Sequence, residues 1–149
     1  MAHPFKAYDV RGIYGKDVTE ELAYKIGRAF VDYLKPKTVV VGMDMRESSK
    51  PLLENLIKGL REAGADVINV GLISTDMLYF ASVYLGTDGA IQITASHNPK
   101  EYNGLKFIIS IVPIKLLSFT FIFSINFFIN NGSFFNFSIF SHPNEFIVI

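Results

Sequence analysis

The chain has no cysteine, which excludes disulfides and thiolate chemistry outright. It also lacks net charge: 14 Lys and Arg balance 14 Asp and Glu, so no global field draws it to nucleic acid or to an anionic membrane. The opening residues Met1-Ala2-His3-Pro4-Phe5-Lys6 lack the apolar stretch and small-residue cleavage site of a secretory signal. Together these absences fit a cytoplasmic protein. One scarcity is local. Residues 109–149 hold only Lys115 and Glu145 as charges, yet they carry 10 of the 14 phenylalanines, whereas residues 1–108 carry the other 13 basic and 13 acidic side chains. At 149 residues the chain has the length of one domain, long enough to bury a core. Its composition nevertheless divides it into a domain over 1–108 and an atypical hydrophobic tail over 109–149.

The first segment alternates between two periodicities. Thr19 is a good N-cap, with Glu20 and Glu21 in the first turn where the helix dipole favours negative charge. Leu22, Ile26, Ala29, Phe30, Tyr33 and Leu34 then share a face at 3.6-residue spacing until Pro36 closes the helix. Thr38-Val39-Val40-Val41-Gly42 is β-branched without alternation, as in a strand covered on both faces. Ser48 or Ser49 can cap a second helix with Leu52, Leu53, Leu56, Ile57 and Leu60 on its apolar face and Gly64 as its stop. Asp66–Val70 reads as a strand, Ser74 or Thr75 as the cap of a third helix to about Leu85, and Gly89–Thr94 as a further strand. Leu105–Ile108 reads as one more strand after a polar turn at 100–104. Strands separated by amphipathic helices predict an α/β domain of three layers, a mostly parallel mixed sheet between helices. Ligands in such sheets bind at the carboxyl ends of the strands. That points to Asp44-Met45-Arg46, to Leu72–Thr75 and to the loop beginning at Thr94.

The last loop has the most chemistry. Thr94-Ala95-Ser96-His97-Asn98-Pro99 gathers two hydroxyls, an imidazole and an amide into six residues, and ends on a proline that continues neither strand nor helix. A serine hydroxyl is a poor nucleophile and needs a base or strong stabilisation of the group it carries. Neighbours in extended chain point to opposite sides, so His97 is expected to be badly placed as a base for Ser96. The Gly-x-Ser-x-Gly elbow of hydrolases is missing. A serine that carries phosphate fits better. Phosphoserine brings about −1.5 to −2 charges and three acceptor oxygens, and Lys106, Arg11, Arg46 and His97 can supply cations and N–H donors. Each has a bland reading beside this one. Ser96 could cap a turn, His97 could be a structural hydrogen-bonder, and Lys106 and Arg46 could be solvated charges. Arg11 could pair with Asp9 or Asp44, and Asp44 reads more readily as a turn-former than as a chemical group.

Three motifs carry a resemblance. Thr94–Pro99 with Tyr102-Asn103-Gly104-Leu105-Lys106 resembles the active-site loop of the α-D-phosphohexomutases, the phosphomannomutase and phosphoglucomutase family. Ala7-Tyr8-Asp9-Val10-Arg11-Gly12 is similar to their N-terminal signature, and Gly42-Met43-Asp44-Met45-Arg46 to their Gly-x-Asp-x-Arg turn. The resemblance covers about residues 5–108. It implies that Ser96 carries a phosphate, donates it to a hexose 1- or 6-phosphate, and recovers another from the hexose 1,6-bisphosphate intermediate, which also serves as activator. It implies Mg²⁺ bound through the Ser96 phosphate, with its remaining ligands on a second domain. It further implies Arg11, Lys106 and His97 as catalytic neighbours, and Asn98, Arg46 and Tyr8 as phosphate- or substrate-binding residues. The family's chains have four domains, and the metal loop, the sugar-selecting loop and the distal phosphate loop belong to the later three. This chain is therefore expected to be inactive or feeble alone, with a non-catalytic phosphate-binding or oligomerising remnant as the alternative.

The tail does not resemble that family and admits three readings. Leu116–Ile129 is its strongest apolar run, at 14 residues shorter than the about 20 that a membrane helix needs. Ser118–Ile125 alternates well enough for a β-hairpin that turns at Asn130-Asn131-Gly132-Ser133. The richness in Phe, Ile, Asn and Ser also matches A/T-rich codons read out of frame, and the abrupt change favours this frameshifted or truncated end. The expected partners are a hexose phosphate and a second copy burying the tail, with neither nucleic acid nor a membrane.

Overall fold

The structure is a computed structural model that describes residues 4–7 and 9–109. Tyr8 and the readings made for 110–149 lie outside the described residues. The elements run β1 (Asp9–Ile13), α1 (Glu20–Leu34), β2 (Thr38–Met43), α2 (Ser49–Glu62), β3 (Asp66–Leu72), α3 (Thr75–Tyr84), β4 (Gly89–Ile93) and β5 (Tyr102–Ile109).

The first helix begins where its sequence places it. Thr19 is extended and its hydroxyl accepts the Leu22 amide at 3.2 Å. Lys35 closes the helix in a left-handed conformation, φ 52°, and its amide donates to the Val31 carbonyl at 2.9 Å. Helix α3 is capped in the same way by Ser74, whose Oγ accepts the Met77 amide at 3.3 Å. Helix α2 departs from this pattern. Ser48 stands at its start but makes no side-chain cap, because its hydroxyl accepts from Asn103 on β5 instead.

The five strands form one mixed sheet in the order β1-β5-β4-β2-β3. β2 lies parallel to both β3 and β4, through the right number of residues for helical crossovers, while β5 is antiparallel to β4 and to β1. The parallel character predicted from sequence thus belongs to β3-β2-β4, and β5 with β1 adds an antiparallel ribbon. β1 has no counterpart in the sequence reading, because Val10 is the only apolar side chain it fully buries. β5 begins at Tyr102, so the second half of the expected polar turn is already strand.

Helices α1 and α2 cover one face of the sheet, where Ile26, Phe30, Leu52, Leu56, Leu60, Ile91, Leu105 and Phe107 form the main core. The two helices cross on glycines. A Cβ on Gly27 would stand 2.6 Å from the Leu56 carbonyl oxygen, and one on Gly59 would stand 2.2 Å from that of Tyr24. The backbones meet there with no room for a methyl group. Helix α3 covers the other face through a smaller cluster of Val40, Leu78, Ala90 and Ile108. It leaves Phe80 and Tyr84 stacked on each other and exposed. Among the described residues no helix is long and apolar enough to cross a membrane.

Candidate functional site

The loops after β2, β3 and β4 leave the sheet at one end and border an open cleft of about 1420 Å³. Asp44, Arg46, Ser74, Gln92, Thr94 and Ser96 line it. This is the carboxyl end of the parallel strands, where the first helical turns and free loop backbone favour a ligand.

Ser96 sits in the loop from β4 to β5 with φ 54°, a left-handed conformation that costs a residue bearing a Cβ about 1–2 kcal/mol. The surrounding bonds hold it there. The Ser96 amide donates to Thr94 Oγ1 at 2.9 Å, and both the amide and the side-chain Nδ2 of Asn98 donate to the Ala95 carbonyl, at 3.1 and 2.8 Å. The Thr94 amide donates to the Gly104 carbonyl, and the Tyr102 amide to that of Pro99. The result is a closed turn with the Ser96 and His97 side chains exposed.

This geometry corrects one expectation. His97 Nδ1 lies 3.1 Å from Ser96 Oγ, within hydrogen-bond distance. The expectation of opposed side chains assumed extended chain, and the left-handed turn at Ser96 removes that alternation. With the ring proton on Nε2, the serine hydroxyl donates to Nδ1.

Arg46 is not a solvated charge. Its side chain is 14% exposed and its five N–H groups all have acceptors. Nε donates to Asp44 Oδ2 at 3.1 Å. Nη1 donates to the carbonyls of Pro99 and Tyr102 at 2.8 and 3.2 Å, and Nη2 to those of Ser96 and Asn98 at 2.9 and 2.7 Å. Asp44 forms the expected turn, since its Oδ1 accepts the Arg46 amide and the Ser49 hydroxyl.

Arg11 and Lys106 stand on β1 and β5 rather than in this loop. Registers place Asp9 opposite Lys106 and Lys106 opposite Gln92, so Asp9, Arg11, Lys106 and Gln92 share the sheet face that α3 covers in part. Arg11 pairs with Asp9, one of its two anticipated partners, while its buried Nε has no acceptor among the described residues. It borders a second depression of about 560 Å³ with Lys16, Asp17, Asn98 and Tyr102. Asn98 lines both depressions and so stands between Ser96 and Arg11. The Lys106 side chain makes no hydrogen bond or ion pair among the described residues.

Sequence reasoning missed two buried amides. Asn103 is fully buried, donating through Nδ2 to Ser48 Oγ at 2.7 Å and Ser49 Oγ at 3.0 Å and accepting the Gly104 amide. Gln92 is 1% exposed and donates to the Ile73 carbonyl at 3.0 Å, which ties the β4 end to the loop after β3. For Gln92 an amide inside an otherwise apolar strand was the available signal, whereas Asn103 lay in what read as a polar turn.

At the mouth of the cleft, Tyr14 donates its hydroxyl to Glu20 Oε1. That bond lowers the Glu20 carboxyl below its usual range and is also the first cause raising the Tyr14 phenol, ahead of burial.

A three-layer α/β domain with an exposed serine on a closed loop at the carboxyl end of its parallel strands defines a class of ligand-binding domain. The comparisons with known proteins make the class specific. Residues 2–114 match the family described as phosphoglucomutase/phosphomannomutase, alpha/beta/alpha domain I, extending past the boundary at 108 read from composition. The chain belongs to that family. It is 53% identical over 104 residues to a phosphomannomutase of Salmonella typhimurium, covering 70% of this chain and 23% of that protein. It is 46% identical over 105 residues to a phosphoglucomutase of Neisseria gonorrhoeae, covering 68% of this chain and 23% of the relative. A solved phosphoglucomutase/phosphomannomutase family protein from Burkholderia thailandensis superposes with a TM-score of 0.71 at 36% identity, over 85% of this chain and 30% of that one. The chain thus spans about a quarter of the length of these full-length relatives.

Proposed function

We propose that Ser96 carries a phosphate and that the chain is the phosphoserine domain of a phosphohexomutase, an enzyme that interconverts hexose 1- and 6-phosphates. The observation that supports this most is the Ser96 hydroxyl itself, exposed over the cleft on a turn whose backbone is bonded on every side. Phosphoryl transfer is mainly positioning plus electrostatic stabilisation, so a held hydroxyl beside an open cleft is the element it needs first.

In the loading step, Ser96 Oγ attacks a phosphoryl group of a hexose 1,6-bisphosphate. A new O–P bond forms as the bond from phosphorus to the sugar oxygen breaks, and the hydroxyl proton leaves Ser96 for the departing sugar oxygen. His97 Nδ1 lies 3.1 Å from that hydroxyl and accepts its hydrogen bond when the ring proton is on Nε2. Arg11 and Lys106 are assigned to the phosphate and to proton transfer by the family resemblance. Arg11 borders a depression with Asn98 of the serine loop, which supports that assignment.

Among the described residues no three His, Asp or Glu side chains stand together as a metal cage. The resemblance places the remaining Mg²⁺ ligands on a second domain, so within this chain Ser96 would meet the ion only through its phosphate. The rival reading is a phosphate-binding or oligomerising remnant of the family without turnover.

Intact mass after incubation with glucose 1,6-bisphosphate and Mg²⁺ tests the proposal. The expected result is a gain of one phosphate, absent from Ser96→Ala. No gain in the native chain would overturn the claim that this serine loads phosphate, and a gain that survives Ser96→Ala would place the phosphate elsewhere.

A further inference from the structure

The strongest unassigned feature is the convergence of loop carbonyls on a single guanidinium. Ser96, Asn98, Pro99 and Tyr102 belong to the serine loop and its exit, and the four carbonyl oxygens all accept from Arg46. Asp44 fixes that guanidinium through Nε and through the Arg46 amide. The network continues from Asp44 to the Ser49 hydroxyl and from Ser49 to Asn103 at the start of β5. Both ends of the loop, β4 through Ser96 and β5 through Tyr102 and Asn103, are therefore bound to one point after β2.

We infer that Arg46 is a positioning residue that holds Ser96 in its left-handed turn and does not grip the phosphate. This refines the phosphoserine reading above and rests on it for its functional meaning. The chemistry of the donor set argues for the role. With five N–H groups on five acceptors, Arg46 has no donor left for a phosphate oxygen. Four carbonyl dipoles aimed at one region repel one another, and a planar cation with donors spread around its rim is the group that satisfies them together. Lysine cannot replace it, because three donors on one nitrogen cannot reach four carbonyls and a carboxylate arranged around a fork. The functional gain is pre-organisation: Ser96 occupies the attacking conformation before substrate arrives.

Arg46→Lys and Arg46→Ala test the inference, with Asp44→Asn as a milder variant that keeps the guanidinium but weakens its anchor. Amide hydrogen exchange by NMR on the full chain reads the loop directly. The Ser96, Asn98 and Tyr102 amides should exchange about tenfold faster or more in Arg46→Lys, while Val40 in β2 and Ile91 in β4 keep their native rates. Asp44→Asn should loosen the same three amides less. In the loading assay with glucose 1,6-bisphosphate, Arg46→Lys should lower the maximal rate and leave the half-saturating concentration unchanged. Unchanged loop exchange in Arg46→Lys would overturn the inference, and so would a raised half-saturating concentration at an unchanged maximal rate, the signature of a lost phosphate ligand. If both Arg46 variants fail to fold, native exchange of the loop in Asp44→Asn overturns it instead. The exchange readout needs no phosphoryl transfer, so it stands or falls apart from the proposal that Ser96 loads phosphate.

Discussion

At the scale of single residues, the site depends on where hydrogen bonds end. Ser96 and His97 come within bonding distance only because Ser96 turns left-handed, and Arg46 is consumed by backbone. Neither fact is written in residue types. A sequence offers arginine as a cation beside a phosphate loop, and the same side chain serves equally as five donors for carbonyls. Asp44 was more legible, since an aspartate two residues before an amide is a common turn-former and does accept the Arg46 amide. Tyr14 and Glu20 give a prediction at this scale. Glu20 has a lowered folded pKa, so its contribution is fully present above the unfolded value of 4.5 and is lost as pH falls through the folded value. Tyr14 has a raised folded pKa, so its contribution is present below 10.0 and is lost as pH rises through the folded value. The bond therefore stabilises a central window and weakens at both ends. Tyr14→Phe should cost about 1 kcal/mol or less between pH 6 and 9, since both groups are partly solvated. It should also flatten the acid and alkaline limbs of the stability profile. Chemical denaturation at a series of pH values checks this, and a loss independent of pH would remove the pair from the account.

At the scale of elements, most of the fold was legible because most elements carry a strong local signal. Thr19 caps the helix it was expected to cap, Ser74 proves to be the cap where Ser74 or Thr75 was expected, and the Val39–Val41 run is buried on both faces of the sheet. The elements that escaped are those whose stability is not local. β1 buries a single apolar side chain and exists because β5 offers it a full antiparallel register. The early start of β5 depends on Asn103, whose amide finds Ser48 and Ser49 more than fifty residues earlier in the chain. The α1–α2 crossing belongs to the same group, for no periodicity reveals that Gly59 lies against the Tyr24 carbonyl. Gly59→Ala tests it. Alanine improves helix propensity by about 1 kcal/mol, yet its methyl would stand 2.2 Å from a backbone oxygen that cannot rotate away. The helices must separate, and the net effect should be a loss of about 1–3 kcal/mol. Lys50→Ala, at an exposed position of the same helix, should be close to neutral. Urea midpoints of the two variants decide the matter, and a neutral or stabilising Gly59→Ala would show that the crossing is looser than described.

At the scale of the whole molecule, the proposed phosphoserine role divides into loading of Ser96 and turnover of a sugar phosphate. The described residues supply an exposed serine hydroxyl, a neighbouring imidazole, a fixed loop and an open cleft. Phosphate-monoester hydrolysis, the slowest reference reaction of this kind, needs acceleration of up to about 10²¹-fold. Charge on the transferred group must be met from several directions at once, and the groups placed here approach it from one side of a sheet. Loading and turnover should therefore separate. The chain alone should gain phosphate on Ser96 from glucose 1,6-bisphosphate, yet show no conversion of mannose 6-phosphate to mannose 1-phosphate. Added polypeptide spanning the rest of a relative such as the Salmonella typhimurium phosphomannomutase should restore conversion, and Ser96→Ala in this chain should abolish it. Conversion by the chain alone would refute the separation, because it would mean that one sheet face and one loop suffice. Loading without restoration would locate the fault at the surfaces between the pieces, since the phosphorylated serine would already be proven competent.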